Sequence, residues 1–406
     1  MQPAPPLLAQ LKERQPRIPA TGLLIAANCL VFVAMVWAGA GYWHTSNGVQ
    51  LAWGANFGPA TKDGEWWRLG SALFLHFGLF HLGMNMLSLW DGGRLVERMY
   101  GSGRFLLVYF ASGLAGNLLS LIIQGDRAVS GGASGAIFGI YGALMVHLWH
   151  SSRSPGFPKN DLVPTEGASG EVSKPGAQPA RTGNESREQR QLLWGAAVFS
   201  TLAILLGFTI KGIDNAAHIG GLVGGLLAGM ILARSGSGPR PLPAWTRRTA
   251  TALFGLWIAL MVTFMPQPRY RWSEEVQARG EIHEFMGEDA RIAAQLEAIL
   301  GSARQGASFD ELAGRVESSV ANPYADSFQS LSRLHLDPTA PSAPALARVR
   351  QYAEERRDAS LALAEGLRAK DWEQIRDVLE KVARAGKKSS NKSSAQSGAQ
   401  SAEPTQ

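Results

Sequence analysis

The sequence predicts an all-α polytopic membrane protein, followed by a soluble helical region. Apolar runs of about 18–20 residues crowd the first 266 positions of the 406-residue chain. Runs of this length suit helices that cross about 30 Å of hydrocarbon. Charge separates the two parts as well. Residues 1–270 carry 21 basic and 12 acidic side chains, whereas residues 271–386 carry 15 basic and 20 acidic ones.

The basic side chains of the first part lie between the apolar runs, which indicates membrane topology rather than binding to nucleic acid. The single cysteine, Cys29, lies inside the first run. An intrachain disulfide and a cysteine-based metal site are therefore excluded. We expect neither a cofactor nor a bound metal.

The first elements are a polar segment at 1–20, an apolar run at 22–39 and a long loop at 40–75. The run is longer than the core of a usual signal peptide, lies late and has no clear cleavage site, so we expect a retained span. The loop is rich in tryptophan, which suits the membrane interface, as an anchor or as the rim of a site. Its tryptophans are Trp43, Trp53, Trp66 and Trp67.

The second predicted span, at about 74–95, contains the sequence HFGLFHLGMN. Polar side chains are costly inside lipid and usually have a function there. His81 and Asn85 are four residues apart, so they share one helix face. His76 is five residues before His81 and is expected to point elsewhere, near the start of the helix.

Further spans bring the predicted total to seven. They lie at about 104–123, 134–150, 192–210, 214–233 and 249–266. The segment 151–190, rich in Pro, Gly, Ser and charge, is predicted to be a disordered loop. A short basic loop occupies 234–248, before the seventh span.

Loop charge sets the predicted orientation, because cytoplasmic loops are enriched in Lys and Arg. The N-terminal segment and the loops at 94–104, 151–190 and 234–248 carry sixteen Lys and Arg residues, against four in the alternate loops. The N-terminus is therefore predicted to be cytoplasmic in a multi-pass protein of the cell membrane. Seven spans then put the C-terminal region outside the cytoplasm.

The region 267–386 has apolar residues at helical spacing and is predicted to be a soluble helical domain. It has no chemical motif, and its partner is not indicated by the sequence. The predicted helices lie near 272–300, 308–319, 342–369 and 370–385. The last segment, 387–406, is predicted to be a disordered tail.

The stretch GGASGAIFG at 131–139 opens the fourth predicted span. Ser134 is flanked by small residues, so its hydroxyl is approachable. At a helix N-terminus it also lies near unpaired backbone N–H groups, which favour developing negative charge. Gly135, Gly139 and Gly142 form a face that another helix can approach closely, a pattern that is also common in membrane helices without catalytic function.

The sixth predicted span carries DNAAHIGGLVGGLLAG, with His218 as its only histidine. A lone histidine can be a structural hydrogen bonder. Gly221 and Gly225 give this helix a small-residue face too, and packing of the two faces would bring Ser134 and His218 within hydrogen-bond reach. That pairing predicts an activated serine nucleophile with a histidine base.

Asp214 lies one turn before His218 and either caps the helix or orients the histidine, with capping as the expected role. A Ser134–His218 dyad is thus predicted. His81 and Asn85 are predicted to donate hydrogen bonds to the oxyanion, together with the backbone N–H of Ser134. One site then explains three costly polar groups in apolar helices.

Taken together, HFGLFHLGMN, GASG and AHIGGLVGG, with the Trp67–Arg68 pair, resemble the rhomboid intramembrane serine proteases over residues 20–235. The resemblance implies a six-span core at 21–233, with a seventh transmembrane helix in 234–266. It implies Ser134 as nucleophile, His218 as base, and cleavage of transmembrane segments of other membrane proteins in the bilayer.

The chain departs from the family pattern at Phe138, where some members have a tyrosine that stacks on the catalytic histidine; phenylalanine stacks but cannot hydrogen-bond. The C-terminal region lies outside the resemblance. Inactive family members lack the serine or the histidine, and this chain keeps both. Two other classes remain: a non-enzymatic protein that binds and escorts transmembrane helices, and a transporter, which is disfavoured because no inverted repeat is visible.

Overall fold

The computed structural model of the protein describes residues 7–152, 183–233 and 242–381. They belong to two compact units, Met1–Gln267 and Pro268–Gln406. The predicted tail at 387–406 lies outside the described residues, as do most of the predicted loop at 151–190 and the first part of the basic loop at 234–248.

The first unit begins with four short helices and one long helix. They are α1 (Leu7–Arg14), α2 (Pro19–Trp37), α3 (Asn47–Ala52), α4 (Gly58–Lys62) and α5 (Arg68–Ser71), followed by a 3₁₀ turn at Ala72–Phe74. Helices α3 to α5 lie in the long tryptophan-rich loop, where no helix was expected. An isolated antiparallel bridge joins Asn56 of this loop to Ser130.

Long helices make up the rest of the first unit. They are α6 (Leu79–Tyr100), α7 (Ser102–Gln124), α8 (Ser134–Ser152), α9 (Gly183–Thr209), α10 (Asn215–Leu232) and α11 (Ala244–Thr263). With α2, they occupy all seven positions at which the sequence predicts a span.

Among the described residues, four helices are long and apolar enough to cross a membrane, namely α2, α7, α9 and α10. The count rises to five if α5 and its 3₁₀ turn join α6 as one bent span. An all-helical, multi-pass membrane protein is therefore confirmed, whereas the count of seven spans stays a prediction.

The second predicted span begins later than expected, at Leu79 instead of residue 74, and it continues to Tyr100. The chain bends by 92° before α6. At this bend, backbone groups pair with the long loop instead of with a helix: Thr45 N–H donates to Phe77 O, and Leu79 N–H donates to Tyr42 O. These bonds pair the backbone N–H and C=O groups that have no intrahelical partner where the helix is interrupted.

Helix α8 is central in the first unit, because α6, α7, α9 and α10 all pack against it. Its apolar side chains are almost all buried, including Ile137, Ile140 and Leu148. A helix that is apolar all round suits such a position. Ser134 is thus the first residue of the most enclosed helix.

The second unit is also helical. It contains α12 (Trp272–Ala303), α13 (Phe309–Val316), a π turn (Glu317–Ala321), α14 (Asn322–Arg333) and α15 (Ala343–Ala369), and residues 372–381 are helical. The sequence did not predict α14, whose polar sequence begins with Asn-Pro. Proline is tolerated there because the first turn of a helix needs no backbone N–H donor.

A polar cluster lies beside the apolar core of this second unit. The Asp289 carboxylate accepts hydrogen bonds from the hydroxyls of Tyr324 and Tyr352, at 2.7 and 3.2 Å. Arg356 donates to the Tyr324 hydroxyl and lies over both rings. Burial raises the pKa of Tyr352 to about 12. The donors and acceptors of this cluster satisfy one another, which indicates a structural role.

Candidate active site

The serine and the histidine that the sequence singles out are hydrogen-bonded. Ser134 Oγ lies 2.9 Å from His218 Nε2, although 84 residues separate them in the chain. Both residues are only half-buried, so the hydroxyl is not sealed inside the helix bundle. A hydroxyl that is bonded to an imidazole nitrogen and open to an approaching group has the geometry of an activated nucleophile.

The close approach of α8 and α10 depends on their glycines. A Cβ at Gly221 would overlap the carbonyl oxygen of Gly135, and a Cβ at Gly225 would overlap the backbone of Gly139. The two glycine faces therefore pack directly on each other, as the sequence predicts. Larger residues would separate the two helix backbones and, with them, the hydroxyl and the imidazole.

Phe138 fixes the plane of the imidazole. Its ring stacks on the ring of His218, with centroids 4.4 Å apart and an interplanar angle of 20°. Phe199 of α9 lies on Phe138 in turn, at 6.2 Å. Stacking without a hydrogen bond is what the sequence predicts for phenylalanine at this position.

Asp214 caps α10 and does not bond the imidazole. One carboxylate oxygen accepts from Ala217 N–H at 3.0 Å, while the other accepts from the hydroxyls of Ser120 and Ser130, at 2.5 and 2.6 Å. Among the described residues, His218 Nδ1 has no hydrogen-bond partner. The arrangement is therefore a dyad, and Asp214 holds the start of the helix that carries the histidine.

His81 lies next to the serine, across Gly132. A Cβ at Gly132 would lie 3.0 Å from His81 Nε2 and 3.7 Å from Ser134 Oγ, so only glycine leaves this space open. Phe77 N–H donates to His81 Nδ1 at 3.4 Å. The neutral ring then carries its proton on Nε2, which makes this nitrogen a donor on the side of the serine.

Asn85 is buried one turn below His81 on α6. Its amide nitrogen donates to the carbonyl oxygen of His81 at 2.8 Å. One amide N–H is thus held by the helix backbone, and the second remains for another acceptor. The structure therefore places Asn85 against the backbone of His81, with one of its two N–H donors committed to the helix.

Comparison with known proteins indicates the same family as the sequence motifs do. The Rhomboid domain profile matches residues 63–235. The chain is 32% identical over 174 residues to "Putative rhomboid protease YdcA" of Bacillus subtilis, which covers 43% of this chain and 70% of that protein. The chain belongs to the rhomboid family.

Other relatives cover more of this chain. "Rhomboid protease GluP" of Bacillus subtilis is 32% identical over 268 residues, or 65% of this rhomboid. "Rhomboid-like protease 1" of Toxoplasma gondii is 30% identical over 220 residues, or 54%. The matches span 44% and 64% of those two relatives, respectively.

The long loop of this rhomboid supports the site from outside the dyad. Arg68 is buried and donates to the carbonyl oxygens of Leu51 and Ala55, which ties the loop together. The backbones of Asn56 and Ser130 exchange both hydrogen bonds, at 2.9 and 2.8 Å. The loop is therefore anchored just before Ser134, whereas Trp66 and Trp67 stay about half exposed.

Several residues around the site were not predicted. Ser120 and Ser130 have no signal in the sequence, since hydroxyls are common and their partner is Asp214, more than 80 residues away. His76 is buried in the bend before α6, with its ring 5.1 Å from that of His81. The bend explains this contact, because His76 is not on the helix on which the sequence placed it.

Proposed function

We propose that this rhomboid is a serine endopeptidase that hydrolyses peptide bonds in or near the transmembrane segments of other membrane proteins. The observation that carries the proposal is the 2.9 Å hydrogen bond between Ser134 Oγ and His218 Nε2 at the start of a buried helix. The names of the relatives, which are rhomboid proteases, agree with this activity.

In the first step, Ser134 Oγ attacks the carbonyl carbon of the scissile peptide while His218 Nε2 takes the hydroxyl proton. The protonated histidine then gives this proton to the leaving amine, which leaves an acyl-enzyme on Ser134. Water attacks the ester, with His218 again as the base, and releases the acid product and the free serine. No third residue is needed in this scheme, because Phe138 holds the ring by stacking.

The tetrahedral intermediate places a negative charge on the former carbonyl oxygen. We assign three donors to it: His81 Nε2–H, the backbone N–H of Ser134 and the free amide N–H of Asn85. Donors that are already in place stabilise this charge more than they stabilise the substrate, which lowers the barrier. The open space at Gly132 is where the oxyanion would lie.

The topology is part of the proposal. We assign the N-terminus to the cytoplasm and the C-terminal region, 267–386, to the opposite side, on the ratio of sixteen to four Lys and Arg residues in the two sets of loops. The dyad then lies near the outer end of α8, where water can reach it. A substrate helix must unwind locally there, which small or helix-breaking residues would ease.

Single substitutions of the dyad test the activity. We expect Ser134→Ala and His218→Ala each to abolish cleavage of a model transmembrane substrate by the purified full chain, because each removes one half of the proton transfer. Unchanged melting temperature would establish that both variants fold. A serine-directed phosphonate should label the wild-type protein and not Ser134→Ala.

Substantial turnover by Ser134→Ala would refute the mechanism. A protein that only binds and escorts transmembrane helices predicts a different result: it would capture the substrate without cutting it, and Ser134→Ala would behave like the wild type. Substrate cleavage and substrate capture measured on the same preparations therefore separate the two functions.

A further inference from the structure

The Asp214 carboxylate receives three hydrogen bonds, all from neutral donors. They come from the Ala217 N–H and from the hydroxyls of Ser120 and Ser130. A carboxylate whose two oxygens both act as acceptors is ionised. The three donors compensate for the water that this group loses in the first unit, but they leave its negative charge in place.

The two serines fix the position of this charge. Ser120 lies near the end of α7, Ser130 lies in the segment just before α8, and both side chains are buried. Their hydroxyls bond the same Asp214 oxygen, at 2.5 and 2.6 Å, which are short distances typical of charge-assisted bonds. A helix cap needs only the other oxygen, so capping alone does not explain this pair of serines.

The charge lies one helical turn from the base of the dyad. His218 follows Asp214 by four residues, and its backbone N–H donates to the Asp214 carbonyl oxygen. At this range a carboxylate attracts the positive imidazolium that His218 becomes when it takes the proton of Ser134. Among the described residues, no acceptor bonds the far nitrogen of the ring, Nδ1, so the imidazolium gains no stabilisation from direct contact there.

We propose that Asp214 is a positioning residue of the dyad: held in place by Ser120 and Ser130, its charge stabilises the His218 imidazolium without contacting the ring. This inference rests on the proposed proteolytic function and adds a residue to its mechanism. Phe138 orients the ring by stacking, and Asp214 supplies the charge that stacking does not.

The charge acts on the transition state more than on the resting enzyme. The imidazole of the resting dyad is neutral, and its positive charge develops only as the serine attacks. An interaction that grows in this way lowers the barrier without strengthening the binding of the substrate. Loss of the Asp214 charge should therefore change kcat and leave KM unaffected.

The variant Asp214→Asn removes the charge and keeps the shape, because asparagine is an equally good helix cap and its amide can still bond serine hydroxyls. We expect kcat of the purified full chain to fall by about 10–100-fold, the order expected of a partly screened unit charge one turn away. KM and melting temperature should stay near the wild-type values. The rate of phosphonate labelling at Ser134 should fall with kcat, since it needs the same proton transfer.

A matched control is Asp371→Asn in the second unit. Asp371 accepts a hydrogen bond from the N–H of Gln374, three residues later, as Asp214 does from the N–H of Ala217. The substitution therefore makes the same change in a helix cap that is not part of the site. We expect wild-type kcat and a wild-type labelling rate in this variant.

Replacing the two serines tests whether they hold the charge. The variant Ser120→Ala/Ser130→Ala should slow phosphonate labelling, because the carboxylate is then free to turn away from the ring. The same two substitutions added to Asp214→Asn should cause little further loss, since no charge remains to be held. Independent structural effects would instead multiply in the triple variant.

Wild-type kcat and labelling rate in Asp214→Asn would overturn the role of the charge, as would a loss that appears only together with a lower melting temperature. Multiplied losses in the triple variant would overturn the role of the serines. Absence of peptide cleavage by the wild type would overturn the proposed function instead, and the labelling rates would still test the charge of Asp214.

Discussion

His81 and Asn85 share a helix face, but the structure gives them unequal positions as oxyanion donors. His81 directs Nε2 toward the space over Gly132, and Phe77 N–H fixes the ring from the other side. Asn85 bonds the carbonyl oxygen of His81 and so also supports the turn on which that ring stands. One Asn85 N–H is thus committed to the helix, and the other is the donor that we assign to the oxyanion.

Replacing Asn85 tests this division. We expect Asn85→Ala to lower kcat by about 10²–10³ with little change in KM, because an oxyanion donor acts mainly in the transition state. His81 and the Ser134 N–H remain, so activity should fall without vanishing. Kinetics and melting temperature measured on one preparation decide the role: a lower melting temperature with normal kcat would leave Asn85 only its structural bond.

Gly132 offers a second test at the residue scale. Its φ of 142° is unfavourable for other residues, and a Cβ would lie 2.9 Å from the His81 ring. We expect Gly132→Ala to abolish cleavage by filling the oxyanion space. Gly131→Ala is the control, since its Cβ would meet the nearest atom at an ordinary 3.4 Å and should leave most activity. Equal activity of the two variants would contradict the placement of the oxyanion.

At the scale of elements, the site depends on the seam between α8 and α10. Ser134 and His218 lie on different helices, so the packing of α8 against α10 sets the distance between their reacting atoms. The seam has no side chains between Gly225 and Gly139, or between Gly221 and Gly135, which leaves no room for adjustment. Catalysis and stability are therefore coupled at these positions.

We expect Gly225→Ala to lower both the melting temperature and kcat, because its methyl group would force α10 away from α8 and lengthen the bond from Ser134 to His218. Overpacking of this kind typically costs about 1–3 kcal/mol of stability. Gly255→Ala in α11 is the matched control, as nothing lies within 4 Å of its Cβ position. Wild-type kcat in Gly225→Ala would indicate that the seam does not position the dyad.

At the scale of the whole molecule, topology decides where the second unit works. We expect a phosphatase reporter fused after Lys381 to be active, and a fluorescent protein that matures only in the cytoplasm to be dark, because the Lys and Arg residues of the loops favour a cytoplasmic N-terminus. Seven spans then bring the second unit outside. An inactive phosphatase together with a bright fluorescent protein would place the second unit in the cytoplasm. That result would contradict a cytoplasmic N-terminus combined with seven spans.

The sequence by itself determined the helical class, the approximate position of every long helix and the pairing of Ser134 with His218. It could do so because apolar length, glycine spacing and isolated polar residues in lipid are local signals with few explanations. It missed α14, since its polar residues and proline are equally typical of a loop. It also placed the start of α6 five residues early, at residue 74 instead of Leu79, because the same apolar pattern continues through the bend.

Only the tertiary structure decided what each polar group contacts. The Asp214 carboxylate bonds two serines that are distant in the chain, an outcome that no spacing predicts. Asn85 instead bonds the carbonyl oxygen of His81, four residues earlier on its own helix. The physical reason is that burial, and hydrogen bonds between residues distant in the chain, are set by the packing of neighbouring helices, which the periodicity of one helix does not specify.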